Sequence, residues 1–262
     1  MGRYLRLLGV QFRASAQVAM QYRVEFLVEG LMAFFWMAWA VVPVLVVYDH
    51  RSAVAGWTFE QSLVVVGFFI LMKGILEGAV NPSLASVVEH IRKGTLDFVL
   101  LKPADAQFLV STAKFEPWRV VDVIAGTAVL AYAFARMGRA PGGPEVACAL
   151  ALALCAVWTL YAVWILVVSA AFFVVKVDNL SFLFLSIFDA ARWPVSVFTG
   201  FLRVLFTVVV PLALMTTFPA EALLGRLPLR TLAFALLGTV VFSACARGVW
   251  IRAIGRYTSA SS

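Results

Sequence analysis

Lys73 and Glu77 are the side chains of this sequence that most need a chemical explanation. They stand four residues apart in an otherwise apolar run, so on a helix they share a face and can pair. A charge at the centre of a bilayer costs about 2.5–3.5 kcal/mol even on lenient scales. The pair is either a structural lock between helices or a polar group in a translocation path, and the sequence leaves both open. Other reactive residues are scattered. Cys148, Cys155 and Cys245 lie in apolar runs, with neither metal-ligand spacing nor a disulfide framework. His50 and His90 fall on opposite faces of the membrane in the topology derived below, so they cannot share a metal. No Gly-x-x-x-x-Gly-Lys run occurs, and no lysine follows a glycine. The chain therefore lacks a phosphate-cradling ATP site of that kind. The expectation is no catalytic residue, no metal and no cofactor held by this chain.

The elements that must position these residues are long and oily. Of 262 residues, 63% are hydrophobic and 13% charged, and the mean hydropathy is +0.96. Apolar runs at 24–48, 62–80, 118–135, 146–175, 202–218 and 231–251 have about the twenty residues a helix needs to cross ~30 Å of hydrocarbon. Backbone polar groups must be satisfied internally in lipid, and the runs lack the alternation of a barrel. The reading is an all-α integral membrane protein: a single permease-type domain over 1–262 with six transmembrane helices. Residues 179–200 are apolar but broken by Asp189, Arg192, Pro194 and Gly200. They are read as an interfacial or re-entrant segment before the fifth span, or as the start of a long kinked helix.

Charge sets the expected orientation. The net charge is +7. With the N-terminus in the cytoplasm, Arg3, Arg6, Arg13, Arg23, Arg92, Lys93, Lys102, Lys114, Arg119, Lys176, Arg192, Arg203, Arg247, Arg252 and Arg256 lie at or near the inner face. Only Arg51, Arg136, Arg139, Arg226 and Arg230 lie outside. This predicts N-in, C-in. The cations follow membrane topology and form no single stripe, which argues against nucleic acid as a partner. Residues 1–22 form an amphipathic helix, with Leu5, Leu8, Phe12, Ala16 and Ala19 on one arc and Arg3, Arg6, Arg13 and Gln17 on another. It is suited to lie on the inner leaflet, with membrane lipids as partners. Phe34, Phe35, Trp36 and Trp39 are read first as lipid-facing or packing bulk, and second as the lining of an amphiphile path.

The loop 83–115 holds the most informative polar stretch. Asn81-Pro82 is expected to end the second span. Residues 83–92 read as a short helix capped at Lys93-Gly94, where glycine can turn left-handed and the basic residues face the negative helix end. Thr95 or Asp97 would cap a new turn. Phe98–Leu101 is apolar, and Lys102-Pro103 breaks it.

Arg92-Lys93-Gly94-Thr95-Leu96-Asp97-Phe98-Val99-Leu100-Leu101-Lys102-Pro103 resembles the cytoplasmic loop of permease subunits of type-2 ABC exporters. The likeness extends to Val177-Asp178-Asn179-Leu180, Ala191-Arg192-Trp193-Pro194, Val210-Pro211-Leu212 and Pro219–Gly225. It implies that the loop holds the coupling helix seated in a groove of an ATPase subunit. Leu96 and Phe98 would be its inserted apolar contacts, and Arg92, Lys93 and Asp97 its polar rim, with Gly94 at the turn. It implies two cytoplasmic ATPase subunits that bind the ATP and Mg, a second permease subunit (identical or related), alternating access, and a location in the cell membrane. An ATP-independent secondary transporter or channel is the alternative. It would need an internal repeat and several ionisable residues deep in the spans.

Overall fold

The computed structural model describes residues 2–21, 23–173 and 178–257. Lys176, Val177 and the last residues of the expected 146–175 span fall outside them. Among the described residues every regular element is helical, apart from an isolated bridge between Val54 and Trp57. An all-α integral membrane protein is the result.

Helix α1 (Gly2–Gln21) precedes α2 (Arg23–His50). After a short turn comes α3 (Phe59–Lys93). Its start is a capping box: Gln61 donates its N–H to the Thr58 hydroxyl and accepts the Thr58 N–H on its side chain. Every residue from Ser62 to Ile70 is buried. A helix apolar all round belongs at the centre of a bundle, and that is where α3 sits. The second span does not end at Asn81-Pro82. A π turn over Leu76–Val80 carries the helix through for 35 residues. Pro82 cannot donate to the carbonyl four residues back, that of Gly78. That carbonyl accepts the Glu116 N–H at 2.8 Å instead, so the break has no unsatisfied acceptor to expel it from the helix.

Two short helices follow, α4 (Asp97–Leu100) and α5 (Ala106–Ser111). Next come α6 (Pro117–Met137) and α7 (Gly143–Phe172). α3 packs chiefly on α6, and the approach is close. A Cβ on Gly67 would stand 2.6 Å from Leu130, and one on Gly126 2.9 Å from the Gly67 carbonyl. Small residues at such crossings are how backbones pack without a hydrophobic drive between helices.

The region after α7 departs from the sequence reading. Helix α8 (Asp178–Phe188) runs on through tight turns to Val197. Phe184 packs edge-on against Trp164 near the far end of α7. Phe188 stacks on Phe69, Asp189 meets Lys73, and Ser196 accepts the Trp57 indole N–H at 2.9 Å. These contacts climb α3 to its Thr58 start. Segment 178–197 is therefore the fifth passage through the bundle. The next two helices, α9 (Gly200–Val209) and α10 (Ala213–Leu223), meet at 71° around Pro211. They begin beside Trp57, and after them Arg226 donates to Gln61 at 2.9 Å. Both ends of this pair lie at one end of the bundle, so 200–223 is a re-entrant hairpin. The expected roles of 179–200 and 202–218 are exchanged. Asp189 and Arg192 lower the hydropathy of 178–197, yet Asp189 meets Lys73 of α3 and Arg192 pairs with Asp189 and lies over the Phe69 ring, while the apolar hairpin is buried on one side by protein. Arg192 and Arg203 consequently do not lie at the Gly94 end, where the sequence had put them. Helix α11 (Leu229–Ile254) makes the last passage, packed on α7.

Candidate functional site

The Gly94 end of the bundle is built around the C-terminus of α3. Gly94 has φ 64°, the left-handed conformation that glycine adopts without penalty. Thr95 N–H reaches the His90 carbonyl at 3.0 Å and Gly94 N–H the Ile91 carbonyl at 3.2 Å, the two bonds of a Schellman turn. The Thr95 hydroxyl bonds His90 Nδ1 at 2.8 Å. It does not cap α4, whose first turn follows Leu96 without a side-chain cap.

Leu96 is 1% exposed and belongs to the core, so it is no inserted contact. The apolar residues that α4 presents are Phe98, 70% exposed, and Leu101, 80% exposed. They are three apart and share a face. Arg92 and Lys93 are exposed beside them, Lys93 bonded to Glu89 at 2.6 Å, and Asp97 is half-buried in the first turn of α4. The sequence reading missed Leu101. Its signal was the spacing Phe98-x-x-Leu101, whereas Leu96 is turned inward by the tight turn at Gly94.

Three helices anchor the segment that follows. Arg3 of α1 donates to the Pro103 carbonyl at 2.5 Å, Ser15 accepts the Phe115 N–H at 3.1 Å, and Tyr4 packs edge-on against Phe108. α1 thus packs on its own protein through Tyr4, Gln11 and Ser15, while Leu5, Val10 and Val18 stay exposed. Tyr161 of α7 bonds Gln107 at 2.9 Å and Ser111 at 2.8 Å. Arg247 of α11 pairs with Asp105 at 2.7 Å. Asp105 also caps α5 by accepting the Phe108 N–H. Burial by itself would raise the Asp105 carboxyl; the Arg247 guanidinium and the backbone N–H groups outweigh it and hold the group below its ordinary value.

Lys73 and Glu77 lie higher on α3, 3.9 Å apart. They belong to a larger cluster than the sequence showed. Arg119 pairs with Glu77 at 2.5 Å and with Asp122 at 3.3 Å. Lys73 lies 3.8 Å from Asp189, which pairs with Arg192 at 3.2 Å. Three cations face three carboxylates, drawn from α3, α6 and the fifth passage. The arginine, rather than Lys73, is the close partner of Glu77. Among the described residues these three cations and three carboxylates are joined in one network.

The transmembrane bundle, the glycine-turned α4 with its apolar pair and the re-entrant hairpin all lie within one stretch of chain. Over residues 34–261 that stretch matches the family model described as ABC-2 family transporter protein. The chain belongs to this family. Neither a curated protein nor a solved structure matches it. The protein is thus a membrane transport component of an ABC transporter, a permease subunit that works with an ABC ATPase and is not itself the catalytic subunit. Among the described residues no group of three His, Cys, Asp or Glu is placed to hold a metal.

Proposed function

We propose that this permease subunit forms the translocation path of an ATP-driven exporter, and that α4 is the element seated on its ATPase. Six passages are half of the twelve that the resemblance implies, so the working unit is a dimer of permeases, identical or related, with two ATPase subunits that bind ATP and Mg. The Gly94 end faces the cytoplasm, N-in and C-in, in the cell membrane. Arg92, Lys93, Lys102, Arg247 and Arg252 gather at that end, in keeping with the positive-inside rule.

The observation that carries the coupling assignment is the pair Phe98 and Leu101. Two large apolar side chains stand exposed on a short helix, a few residues after the exposed Arg92 and Lys93. Exposed apolar residues with a polar rim mark a protein contact. Behind them, α4 continues through Pro103 and Asp105 to α1, α7 and α11. A push on α4 is thereby passed to α1, α7 and α11, and directly along α3.

The test is Phe98→Asp with Leu101→Asp in the full-length protein. The expected result is a folded, membrane-resident subunit that no longer retains its ATPase on purification. Retention and transport at wild-type levels would remove α4 from this role. Leu96→Asp should behave differently, lowering stability first, because Leu96 is buried.

A further inference from the structure

A second feature stands apart from both polar clusters. Between α7, the re-entrant hairpin and α11 runs an apolar groove of about 420 Å³. Its walls include Leu166, Thr207, Leu214, Phe234, Val241 and Cys245. From Phe234 to Cys245 it follows α11 for eleven residues, about 16 Å at the helical rise. That is roughly half of the ~30 Å hydrocarbon core, the depth of one leaflet.

The groove has a charged rim at its Trp57 end. Arg203 precedes Thr207 by four residues on α9, and the Thr207 hydroxyl donates to the Arg203 carbonyl at 2.6 Å. Arg230 precedes Phe234 by four residues on α11. Residues four apart share a helix face, so each wall carries an arginine one turn above its apolar lining. Both arginines are exposed. Arg226, in the turn that leads into α11, donates to Gln61. Glu221 is the carboxylate within electrostatic reach of Arg226 and Arg203. With the Arg139–Glu145 pair beside Gly225 and Glu60 next to Gln61 included, four arginines face three carboxylates at this end, an excess of one positive charge.

We infer that the groove holds an acyl chain of an anionic phospholipid, with its phosphate at Arg203 and Arg230. The apolar length matches one leaflet, and an arginine on each wall at the same end of the groove is complementary to a phosphate. The two arms of the site recognise different parts of the molecule. The groove selects for a chain, and the rim selects for its charge. Such a lipid would wedge the hairpin against α11, of which little is buried inside the bundle.

The experiment uses the full-length protein in detergent with equal amounts of dioleoyl phosphatidylglycerol and dioleoyl phosphatidylcholine, read by native mass spectrometry. The wild type should retain phosphatidylglycerol severalfold over phosphatidylcholine. Arg203→Gln with Arg230→Gln should bring the two to parity. Gly238→Leu fills the groove from the α11 wall, where an added Cβ meets nothing within 4 Å, and should reduce retention of both lipids without lowering the melting temperature. If the arginine variant keeps the preference, or Gly238→Leu leaves retention unchanged, the inference fails. A loss of dimer with lipid retention intact would assign the groove to a second copy of the chain and overturn it equally.

Discussion

Two polar clusters sit on the same helix, one at Lys73–Glu77 and one at the Gly94 end, and they are built in opposite ways. The upper cluster is enclosed where α3 meets α6, with Glu77, Arg119 and Asp122 side chains at most 20% exposed and each charge facing an opposite one, and it opens toward Asp189, 47% exposed. The lower is tethered from the outside, by hydrogen bonds from α1 and α7 and by the Arg247 ion pair of α11, and ends in exposed Phe98 and Leu101. In low dielectric a charge without its partner is expensive, so the upper cluster tolerates little rearrangement. In water each tether contributes little, so the lower one can yield to a partner. One region joins α3, α6 and the fifth passage by ion pairs; the other, under the proposed function, is the one that would transmit a push.

The contrast is broken most severely by Arg119→Met. It leaves Glu77 and Asp122 facing each other without their shared cation, and should cost about 3–5 kcal/mol. The melting temperature in detergent would fall far more than for Lys73→Met, since Lys73 lies 3.9 Å from Glu77 against 2.5 Å for the arginine. Adding Glu77→Gln to Arg119→Met should recover part of the loss. If Lys73→Met is the worse variant, the network has been assigned the wrong centre.

Packing beside that cluster gives the next effect. Gly126→Ala drives a methyl into the Gly67 carbonyl at 2.9 Å and the Leu71 amide at 3.0 Å, both of them backbone atoms. Overpacking of this kind costs about 1–3 kcal/mol. Thermal unfolding should show it, with ATPase retention unchanged in the molecules that remain folded.

At the lower cluster the effects are smaller on stability and larger on function. Gly94→Val forces a β-branched residue into φ 64°, at about 1–2 kcal/mol. Limited trypsin digestion at Arg92 and Lys93 should quicken while the bundle stays protected. Unchanged cleavage would mean that the turn is not held left-handed.

The smallest effect is that of the Asp105–Arg247 tether. The folded carboxyl is held below its ordinary value. A depressed carboxyl contributes stability above its unfolded value and loses it as pH falls through the folded one. Asp105→Asn should therefore destabilise at neutral pH by about 0.5 kcal/mol, the scale of a partly exposed pair. Its melting temperature should converge with that of the wild type on acidification below the carboxylate range. A gap that widens on acidification would reverse the assignment.

The membrane class, the helical content and the family were legible in the chain itself. Apolar runs of about twenty residues admit few other structures, and Arg92–Pro103 is a contiguous motif that needs no folding to be read. The glycine turn at 94 was legible for the same reason, being local. Four features were decided only by tertiary contacts. Pro82 looks like a helix stop until Glu116 supplies a donor for the Gly78 carbonyl. Leu96 looks like a contact residue until the turn aims it into the core. Arg119 and Asp122, three apart, look like a local pair, and Asp189 and Arg192 like breaks in an apolar run, until three elements bring them around Lys73 and Glu77. The fifth passage looks too polar to cross, and the hairpin apolar enough to do so. Hydropathy measures the cost of placing each residue in lipid, and the fold replaces lipid with a matched partner.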